Sequence, residues 1–347
     1  MKRLGFGLPI ILSALAAFLI FSQADACTRI FWNNSGQAML VARTMDLSTD
    51  DSATFYVFPK GIRKNGNAGA YSANWTSKYG SVFIGAGSPS YSSDGVNTQG
   101  LAFHGLYLDG TEYEARDLRP GVALGIFGEF LLDNAATVSD ALMLMGQFQL
   151  VPVPFQNYVW PIHLAIEDAS GDSAVIEFVN NQMIVYHGDG SIPTTVLTNE
   201  PTLDIQVTYP PQYMYFGNTN GYPYLPGDID PASRFVRASA FLRTLPSPSS
   251  LADAVSYLLS AIRCEVEPFG SVVFAPDGTS SPGWPTLWTS LYDLTNKTIY
   301  YEHTMPRNNF WINMKKLNFS KGARVLYLNA ELPGLKGEVS GLFKPVP

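Results

Sequence analysis

Residues 24–29 read ADACTR, a stretch that places one of the chain's two cysteines directly after a small-x-small tripeptide. Basic residues at positions 2 and 3 and an apolar run at 8–21, LPIILSALAAFLIF, come before it. A basic start, an apolar middle and small residues before the cut form the pattern that signal peptidase recognises. The sequence therefore predicts that residues 1–26 are a removed signal peptide, that the protein is exported to the periplasm or secreted, and that the mature chain begins at Cys27.

The leader has two other interpretations. A transmembrane anchor needs about 20 apolar residues, more than the run at 8–21 provides. A lipoprotein signal also ends in cysteine, but it usually carries an aliphatic residue three positions earlier and a small residue two positions earlier, where this chain has Ala24 and Asp25. We therefore expect no stable membrane anchor, and a lipid-anchored envelope protein remains an alternative.

The charge balance favours a small-molecule partner. Removing the leader, with Lys2, Arg3 and Asp25, takes the formal net charge from −7 to −8, which gives no electrostatic reason to bind nucleic acid. No P-loop or dinucleotide fingerprint occurs in the sequence. Zinc ligands follow characteristic spacings, and the histidines do not show them, so we expect neither a metal nor a cofactor. The four histidines are His104, His163, His187 and His303.

The two cysteines, Cys27 and Cys264, allow two hypotheses. A disulfide between them would suit a secreted, non-catalytic binding domain, which remains an alternative. Cys264 follows an apolar helical run, which favours a buried and inert thiol. Cys27 would instead carry a free α-amine after processing, and an amine with a pKa near ~8 can take the proton of a thiol with a pKa near ~8.5. The sequence therefore indicates an N-terminal nucleophile that is inactive before cleavage.

The hydrophobic pattern predicts one domain over residues 27–347, with two sheets between helical layers. Pro120 is expected to open a helix, Thr137 and Ser250 to cap two others, and residues 235–245 to form a fourth. The Tyr-rich segment 209–230 is expected to be a long ordered loop. Predicted strands are 28–33, 38–43, 53–58, 81–84, 162–168, 173–178, 182–187, 286–293 and 298–304.

An ordered set of motifs resembles the choloylglycine hydrolase family, which contains penicillin V acylases and bile salt hydrolases. The resemblance implies an α+β fold, a four-layer αββα sandwich of the N-terminal nucleophile hydrolase type. It also implies hydrolysis of a non-peptide or side-chain amide through a thioester, often in a homotetramer. The motifs are CTR at 27–29, RTMD at 43–46, NTQGL at 97–101, LTNEP at 197–201, LPGD at 225–228, SRFVR at 233–237, WTS at 288–290 and YDL at 292–294.

The resemblance implies roles for the residues around the sulfur and its amine. Cys27 would be the nucleophile through its sulfur and the base through its amine. Asp46 would accept a hydrogen bond from that amine. Arg43 would lie near the sulfur, where a permanently charged guanidinium favours the thiolate and lowers the thiol pKa.

The resemblance also implies how the developing oxyanion is bound. Asn199 would offer its side-chain amide, and Asn97 its backbone N–H, while Arg234 would complete the polar network. One such donor is typically worth ~3 kcal/mol, so its loss would cost two to three decades in rate.

The substrate stays open between penicillin V, an N-acyl-homoserine lactone and a conjugated bile salt. The chain is 13% aromatic, which favours a flat or apolar acyl group. The resemblance is closest to the Gram-negative penicillin V acylase-like branch, whose members also cleave acyl-homoserine lactones. Several acylases of that branch place an aromatic residue where this chain has Leu47, and Phe103 is the candidate that compensates for it.

Overall fold

The described chain opens with the predicted hairpin. In this computed structural model, which describes residues 27–155, 157–214, 225–274 and 278–347, β1 (Cys27–Trp32) pairs antiparallel with β2 (Leu40–Asp46). Both strands are buried along their whole length. The register places Cys27 opposite Met45, so the hairpin returns the end of β2 to the start of β1. The predicted signal peptide lies outside the described residues.

The hairpin belongs to a seven-stranded sheet. Its other strands are β14 (Val196–Leu197), β17 (Thr286–Asp293), β18 (Thr298–His303), β19 (Asn309–Asn313) and β21 (Lys336–Glu338). The order is β14-β1-β2-β17-β18-β19-β21. Strand β17 is buried throughout and pairs with β2 on one side and β18 on the other, so it is a central strand of this sheet. The predicted hairpin between residues 286 and 304 is confirmed.

A second sheet has nine strands and contains the predicted meander at 162–187. In chain order its strands are β3 (Ala53–Phe58), β6 (Ser81–Ala86), β7 (Ser92–Asn97), β8 (Ala102–Tyr107), β11 (Ile162–Glu167), β12 (Ser173–Val179), β13 (Gln182–His187), β20 (Leu326–Asn329) and β22 (Lys344–Pro345). The strand order is β13-β12-β11-β8-β7-β6-β3-β20-β22. Three two-stranded ribbons complete the β structure: β4 (Arg63–Asn65) with β5 (Asn74–Thr76), β9 (Gly121–Ala123) with β10 (Gln149–Val151), and β15 (Val272–Phe274) with β16 (Ser280–Pro282).

Helices cover the outer face of each sheet. Helices α1 (Leu124–Asn134) and α2 (Val138–Gln147) lie on the nine-stranded side, with α1 against β7 and β8. Helices α5 (Pro231–Thr244) and α6 (Leu251–Arg263) pack on β1 and β2 of the other sheet. The layers are therefore α, β, β, α. Shorter helices are α3 (Leu203–Gln206), α4 (Tyr209–Met214) and two 3-10 turns, Met314–Lys316 and Ser340–Leu342.

The structure confirms two predicted helix caps and corrects two predicted elements. Thr137 forms a reciprocal capping box with Asp140, and the Ser250 hydroxyl accepts from the Asp253 backbone. Pro120 does not open a helix, because residues 121–123 pair with β10 and α1 begins only at Leu124. The predicted loop at 209–230 begins as helix α4, and its residues 215–224 lie outside the described residues.

Apolar side chains fill both interfaces of the nine-stranded sheet. One buried cluster lies between the two sheets and reaches α5 and α6. A second lies between the nine-stranded sheet and the layer of α1 and α2. Among the described residues, no helix is both long and apolar enough to cross a bilayer.

Candidate active site

Cys27 lies at the start of β1 with its sulfur beside the Arg43 guanidinium. The side chain is a free thiol and the residue is only 3% exposed. Arg43 Nη2 lies 3.5 Å from the sulfur. Arg43 is itself held, since its Nη1 donates to the Ser93 carbonyl at 3.0 Å and its guanidinium lies 5.4 Å from the Trp288 ring centroid. A fixed positive charge therefore faces the thiol.

The nitrogen of Cys27 points away from Arg43, toward Asn199. It donates to Asn199 Oδ1 at 2.5 Å, and Arg234 Nη2 donates to the same oxygen at 3.0 Å. Arg234 Nη1 also donates to the Cys27 carbonyl and to the Thr28 hydroxyl, both at 2.7 Å. In the uncleaved chain this nitrogen is the amide that joins Cys27 to Ala26. Cleavage at that bond would leave an α-amine at the same place.

Asp46 lies beside the sulfur but its carboxylate bonds to two threonines. The hydroxyls of Thr44 (3.0 Å) and Thr286 donate to its two oxygens. Burial raises the pKa of Asp46 to about 7, although the Arg234 charge and both hydroxyls oppose the rise. The contact expected between this carboxylate and the Cys27 nitrogen is not the one found, because that nitrogen donates to Asn199.

Burial also determines the ionisation of the sulfur. It raises the pKa of the Cys27 thiol above its usual value, although the charge of Arg43 acts in the opposite direction. The expectation that Arg43 favours the thiolate therefore holds for its own contribution, but the net shift is upward. A nearby base is needed to form the thiolate at neutral pH.

A cavity of about 440 Å³ opens over the sulfur. Its wall is largely aromatic, with the Tyr91 and Phe155 rings stacked at 4.5 Å and Tyr107 edge-on to Trp284 at 5.5 Å. Such a wall suits an apolar or flat group. The other large apolar side chains of the lining are Met45, Leu47, Leu124, Trp160 and Ile162, and Asp50 and Asp51 stand in the same lining.

Comparison with known proteins identifies the family of this chain. The family model "Linear amide C-N hydrolases, choloylglycine hydrolase family" matches residues 27–327. Penicillin V acylase of Pectobacterium atrosepticum is 31% identical over 360 residues, covering 96% of this chain and 94% of that protein. This chain belongs to the choloylglycine hydrolase family.

Solved structures of relatives share the fold of this choloylglycine hydrolase family member. The structure of penicillin V acylase from Agrobacterium tumefaciens matches with a TM-score of 0.80 and 32% identity, over 92% of this chain and 98% of that one. A variant of conjugated bile acid hydrolase from Clostridium perfringens shares the fold at 21% identity, with a TM-score of 0.71 over 87% of this chain and 97% of that one. The predicted αββα sandwich of the N-terminal nucleophile hydrolase type is confirmed, and the protein is a linear amide C–N hydrolase.

The structure brings five of the six expected polar residues of this hydrolase together around the Cys27 sulfur and nitrogen. The sixth, Asn97, lies elsewhere. Asn97 ends β7 at the opposite end from Ser92 and Ser93, which line the cavity. Its backbone N–H donates to the Leu101 carbonyl at 2.9 Å and its side chain holds the turn at 99–101 and the end of α1. Its expected role as an oxyanion donor is therefore wrong. The five residues brought together are Cys27, Arg43, Asp46, Asn199 and Arg234.

The side-chain amide of Asn199 is engaged where a free donor was expected. Asn199 Nδ2 donates to the Tyr107 carbonyl at 2.9 Å. This bond fixes which way the amide points, so that Oδ1 faces the Cys27 nitrogen. The amide nitrogen carries a second hydrogen, but Asn199 is fully buried and is not among the residues that line the cavity.

Of the two expected acyl-pocket residues, Leu47 lines the cavity and Phe103 does not. Phe103 is 2% exposed and packs against α1, where a Cβ added at Gly128 would lie 2.2 Å from its ring. The reason is the alternation of β8: His104 faces the space between the sheets, so Phe103 faces the helices.

Sequence reasoning missed the five aromatic residues of the cavity lining, which are Tyr91, Tyr107, Phe155, Trp160 and Trp284. Trp284 precedes β17, and the pairing of Thr286 with Asp46 and the bond from the Leu47 N–H to the Pro285 carbonyl bring it to the site. Tyr107 ends β8, where it pairs with Ile162 of β11, and Asn199 binds its carbonyl. Both depend on contacts that no local pattern shows.

The structure also decides the two hypotheses about the cysteines. Both cysteines are free thiols, so the hypothesis of a Cys27–Cys264 disulfide is wrong. Cys264 is exposed at the end of α6, where a buried thiol was expected.

Within the described residues, Asp50, Asp51 and Glu331 form an acidic cluster with ligand atoms within 4.8 Å of one another. Asp51 accepts from the Trp288 indole at 2.9 Å, which gives it a structural role beside Arg43.

Proposed function

We propose that this hydrolase is an exported amidase in which Cys27 is the N-terminal nucleophile. The observation that carries the proposal is the position of Cys27 under the cavity, with its sulfur 3.5 Å from Arg43 and its nitrogen 2.5 Å from Asn199. The family match also begins at residue 27, where the predicted cut would leave the new terminus. Export to the periplasm or outside the cell, without a lipid anchor, belongs to the same proposal.

The proposed reaction has two halves. In the first, the Cys27 sulfur bonds to the amide carbonyl carbon while its proton moves to the Cys27 amine. Collapse of the tetrahedral intermediate breaks the C–N bond, the amine passes that proton to the leaving nitrogen, and a thioester remains. In the second, water gives a proton to the same amine and attacks the thioester, and the C–S bond breaks as the proton returns to sulfur.

The residues around the nitrogen support this role because they orient it. Asn199 Oδ1 accepts a hydrogen from the nitrogen, and Arg234 holds both that oxygen and the Cys27 carbonyl. Fixing the nitrogen and the carbonyl oxygen of Cys27 limits rotation of the residue, so the amine lone pair can stay directed at the sulfur. An uncut chain has an amide at this position, which has no basic lone pair, so the proposal requires cleavage.

The cavity supports an acyl amide with a flat or apolar acyl group. Its aromatic wall and volume of about 440 Å³ fit the size range of small-molecule sites. Penicillin V is the first candidate, since the relatives at 31% and 32% identity are penicillin V acylases. An N-acyl-homoserine lactone and a conjugated bile salt are the other candidates for the same cavity.

The test compares Cys27 with the second cysteine. The purified mature protein is expected to begin at Cys27 by intact mass, without acyl chains, and is assayed on penicillin V, glycocholate and a long-chain acyl-homoserine lactone. Cys27→Ser is expected to lower kcat/KM by about 10³ or more. Cys264→Ser is the matched control and leaves it unchanged, because Cys264 is exposed on α6 outside the cavity. Equal losses in both variants, or an active chain that retains residue 26, would contradict the nucleophile.

A further inference from the structure

A chain of five buried charged side chains runs between the two sheets and ends at Cys27. None of the five is more than 1% exposed. Along the chain the contacts are Arg29 Nη2 to Glu167 Oε2 at 2.5 Å, Glu167 Oε1 to His104 Nε2 at 2.6 Å, His104 Nδ1 to Asp94 Oδ1 at 2.6 Å, Asp94 Oδ2 to Arg43 Nη1 at 3.5 Å, and Arg43 Nη2 to Cys27 Sγ at 3.5 Å.

The two sheets contribute opposite charges to this chain. Strands β1 and β2 place Arg29 and Arg43 directly opposite each other in the seven-stranded sheet. Like charges in that position repel. The nine-stranded sheet contributes the carboxylates of Asp94 and Glu167, and His104 lies between them. Among these five side chains, His104 therefore joins the Arg29–Glu167 ion pair to the Asp94–Arg43 ion pair.

The five side chains carry a net positive charge that a thiolate at Cys27 would balance. Within these five side chains two carboxylates balance two guanidinium groups, so an imidazolium at His104 adds one positive charge. A Cys27 thiolate would neutralise the buried group. Buried charges cost several kcal/mol each to desolvate, so such a chain is poorly explained by stability alone.

The other groups that face His104 carry no negative charge that could balance the imidazolium. The Tyr292 ring of β17 lies edge-on at 5.5 Å, and burial raises the pKa of its hydroxyl well above its usual value, so the hydroxyl is neutral. Ser290 of the same strand donates to Asp94 Oδ2 at 3.1 Å and so steadies that carboxylate.

We propose that His104 is a positioning residue for Cys27: as an imidazolium it orients Asp94, and through Asp94 it holds the Arg43 guanidinium against the sulfur. The proposal rests on the proposed role of Cys27 as nucleophile. Burial by itself lowers the pKa of His104, but Asp94 and Glu167 outweigh it and raise the pKa to about 9. His104 is therefore charged at neutral pH and its influence is lost only in alkaline solution.

The coupling between His104 and the thiol is measured by alkylation, which needs no turnover. The mature protein carries Cys264→Ser, so that Cys27 is the one thiol left to react with iodoacetamide. His104→Gln is expected to raise the apparent thiol pKa by about one unit, equivalent to about tenfold slower alkylation below the pKa. It is also expected to lower kcat without a matching change in KM, because the contact with substrate is untouched.

His163→Gln is the matched control. His163 is equally buried and also faces one carboxylate, Glu177, at 3.1 Å, but it lies outside the chain that ends at Cys27. It should leave the alkylation profile unchanged. An unshifted thiol pKa in folded His104→Gln protein, or equal shifts in both variants, would overturn the proposal. A shifted pKa in a protein that cleaves none of the amides would instead count against the amidase.

A measurement on the parent protein covers the case in which His104→Gln does not fold. Coupling between two sites is reciprocal, so blocking the Cys27 thiol with iodoacetamide should lower the titration midpoint of His104, followed by its imidazole NMR signals. The His163 signals provide the internal reference and should not move. Equal His104 midpoints before and after alkylation would overturn the proposal.

Discussion

The Oδ1 atom of Asn199 lies 2.5 Å from the Cys27 nitrogen and accepts a second hydrogen bond from Arg234 at 3.0 Å. Cys27 and Asn199 are 172 positions apart in the sequence. One side-chain oxygen therefore joins the start of β1 to a residue of α5 and fixes the direction of the nitrogen. This relationship makes the orientation of Asn199 central to the proposed mechanism.

Replacing Asn199 is expected to impair turnover far more than folding. Asn199→Ala removes the acceptor of the Cys27 nitrogen together with the expected donor to the oxyanion, and kcat/KM should fall by about 10² to 10³. Steady-state kinetics on the cleaved amide measure the loss. Asn308→Ala is the matched control, because Asn308 is also buried and its side chain bonds to the Ala330 and Leu332 carbonyls and the Leu335 N–H, away from Cys27. A similar kinetic loss there would refute the assignment.

Asp46 predicts a pH dependence of stability with a definite sign. Its folded pKa is raised from 3.8 to about 7 by burial, so between these values the folded state holds a proton that the unfolded state has released. Stability should therefore fall as pH rises through this window and level off above it. Asp46→Asn is expected to remove about one proton's worth of that slope. Urea unfolding at several pH values from 4 to 8 measures it.

Asp253 serves as the control for this pH experiment. It lies partly exposed in the first turn of α6, and bonds from Ser249 and Ser250 lower its pKa below 3.8. Its stabilising effect is present above the unfolded pKa and is lost only below it, so Asp253→Asn should leave the slope between pH 4 and 7 unchanged. An Asp46→Asn protein with the parent slope would show that Asp46 is ionised throughout the range.

The sequence predicted those parts of the molecule that depend on local pattern. The β1–β2 hairpin followed from two strand-like runs around a turn, and it brings Arg43 to Cys27. Asn97 and Phe103 were misplaced because a motif match does not show which end of a strand, or which face, meets the cavity. Asn97 lies at the far end of β7, and Phe103 faces α1.

Contacts between the two stacked sheets, and the burial that results, could not be predicted from the sequence. Arg29 meets Glu167 138 positions later, and that contact depends on how the two sheets are stacked. Nothing in the residues around Arg29 distinguishes a buried ion pair from a solvent-facing side chain. The raised thiol pKa has the same origin, because it follows from complete burial and not from a neighbouring motif.

The Leu47 position is expected to control the size of the acyl group. Leu47 lines the cavity of about 440 Å³, so Leu47→Trp should reduce the space for a steroid more than for a phenoxyacetyl group. We expect kcat/KM for glycocholate to fall about tenfold relative to penicillin V, by steric exclusion. Leu118→Trp is the control, since Leu118 is 81% exposed and outside the cavity. An unchanged ratio in Leu47→Trp would remove this residue from the acyl site.

Gly128 tests the corrected position of Phe103. In an ordinary helix interior, Gly→Ala stabilises by about 1 kcal/mol. A Cβ at Gly128 would lie 2.2 Å from the Phe103 ring, so overpacking should reverse the sign and Gly128→Ala should destabilise by about 1–3 kcal/mol. Gly146→Ala in α2, where a Cβ meets nothing within 4 Å, should instead stabilise. Denaturant unfolding compares the two, and stabilisation by both would mean that Phe103 points away from α1.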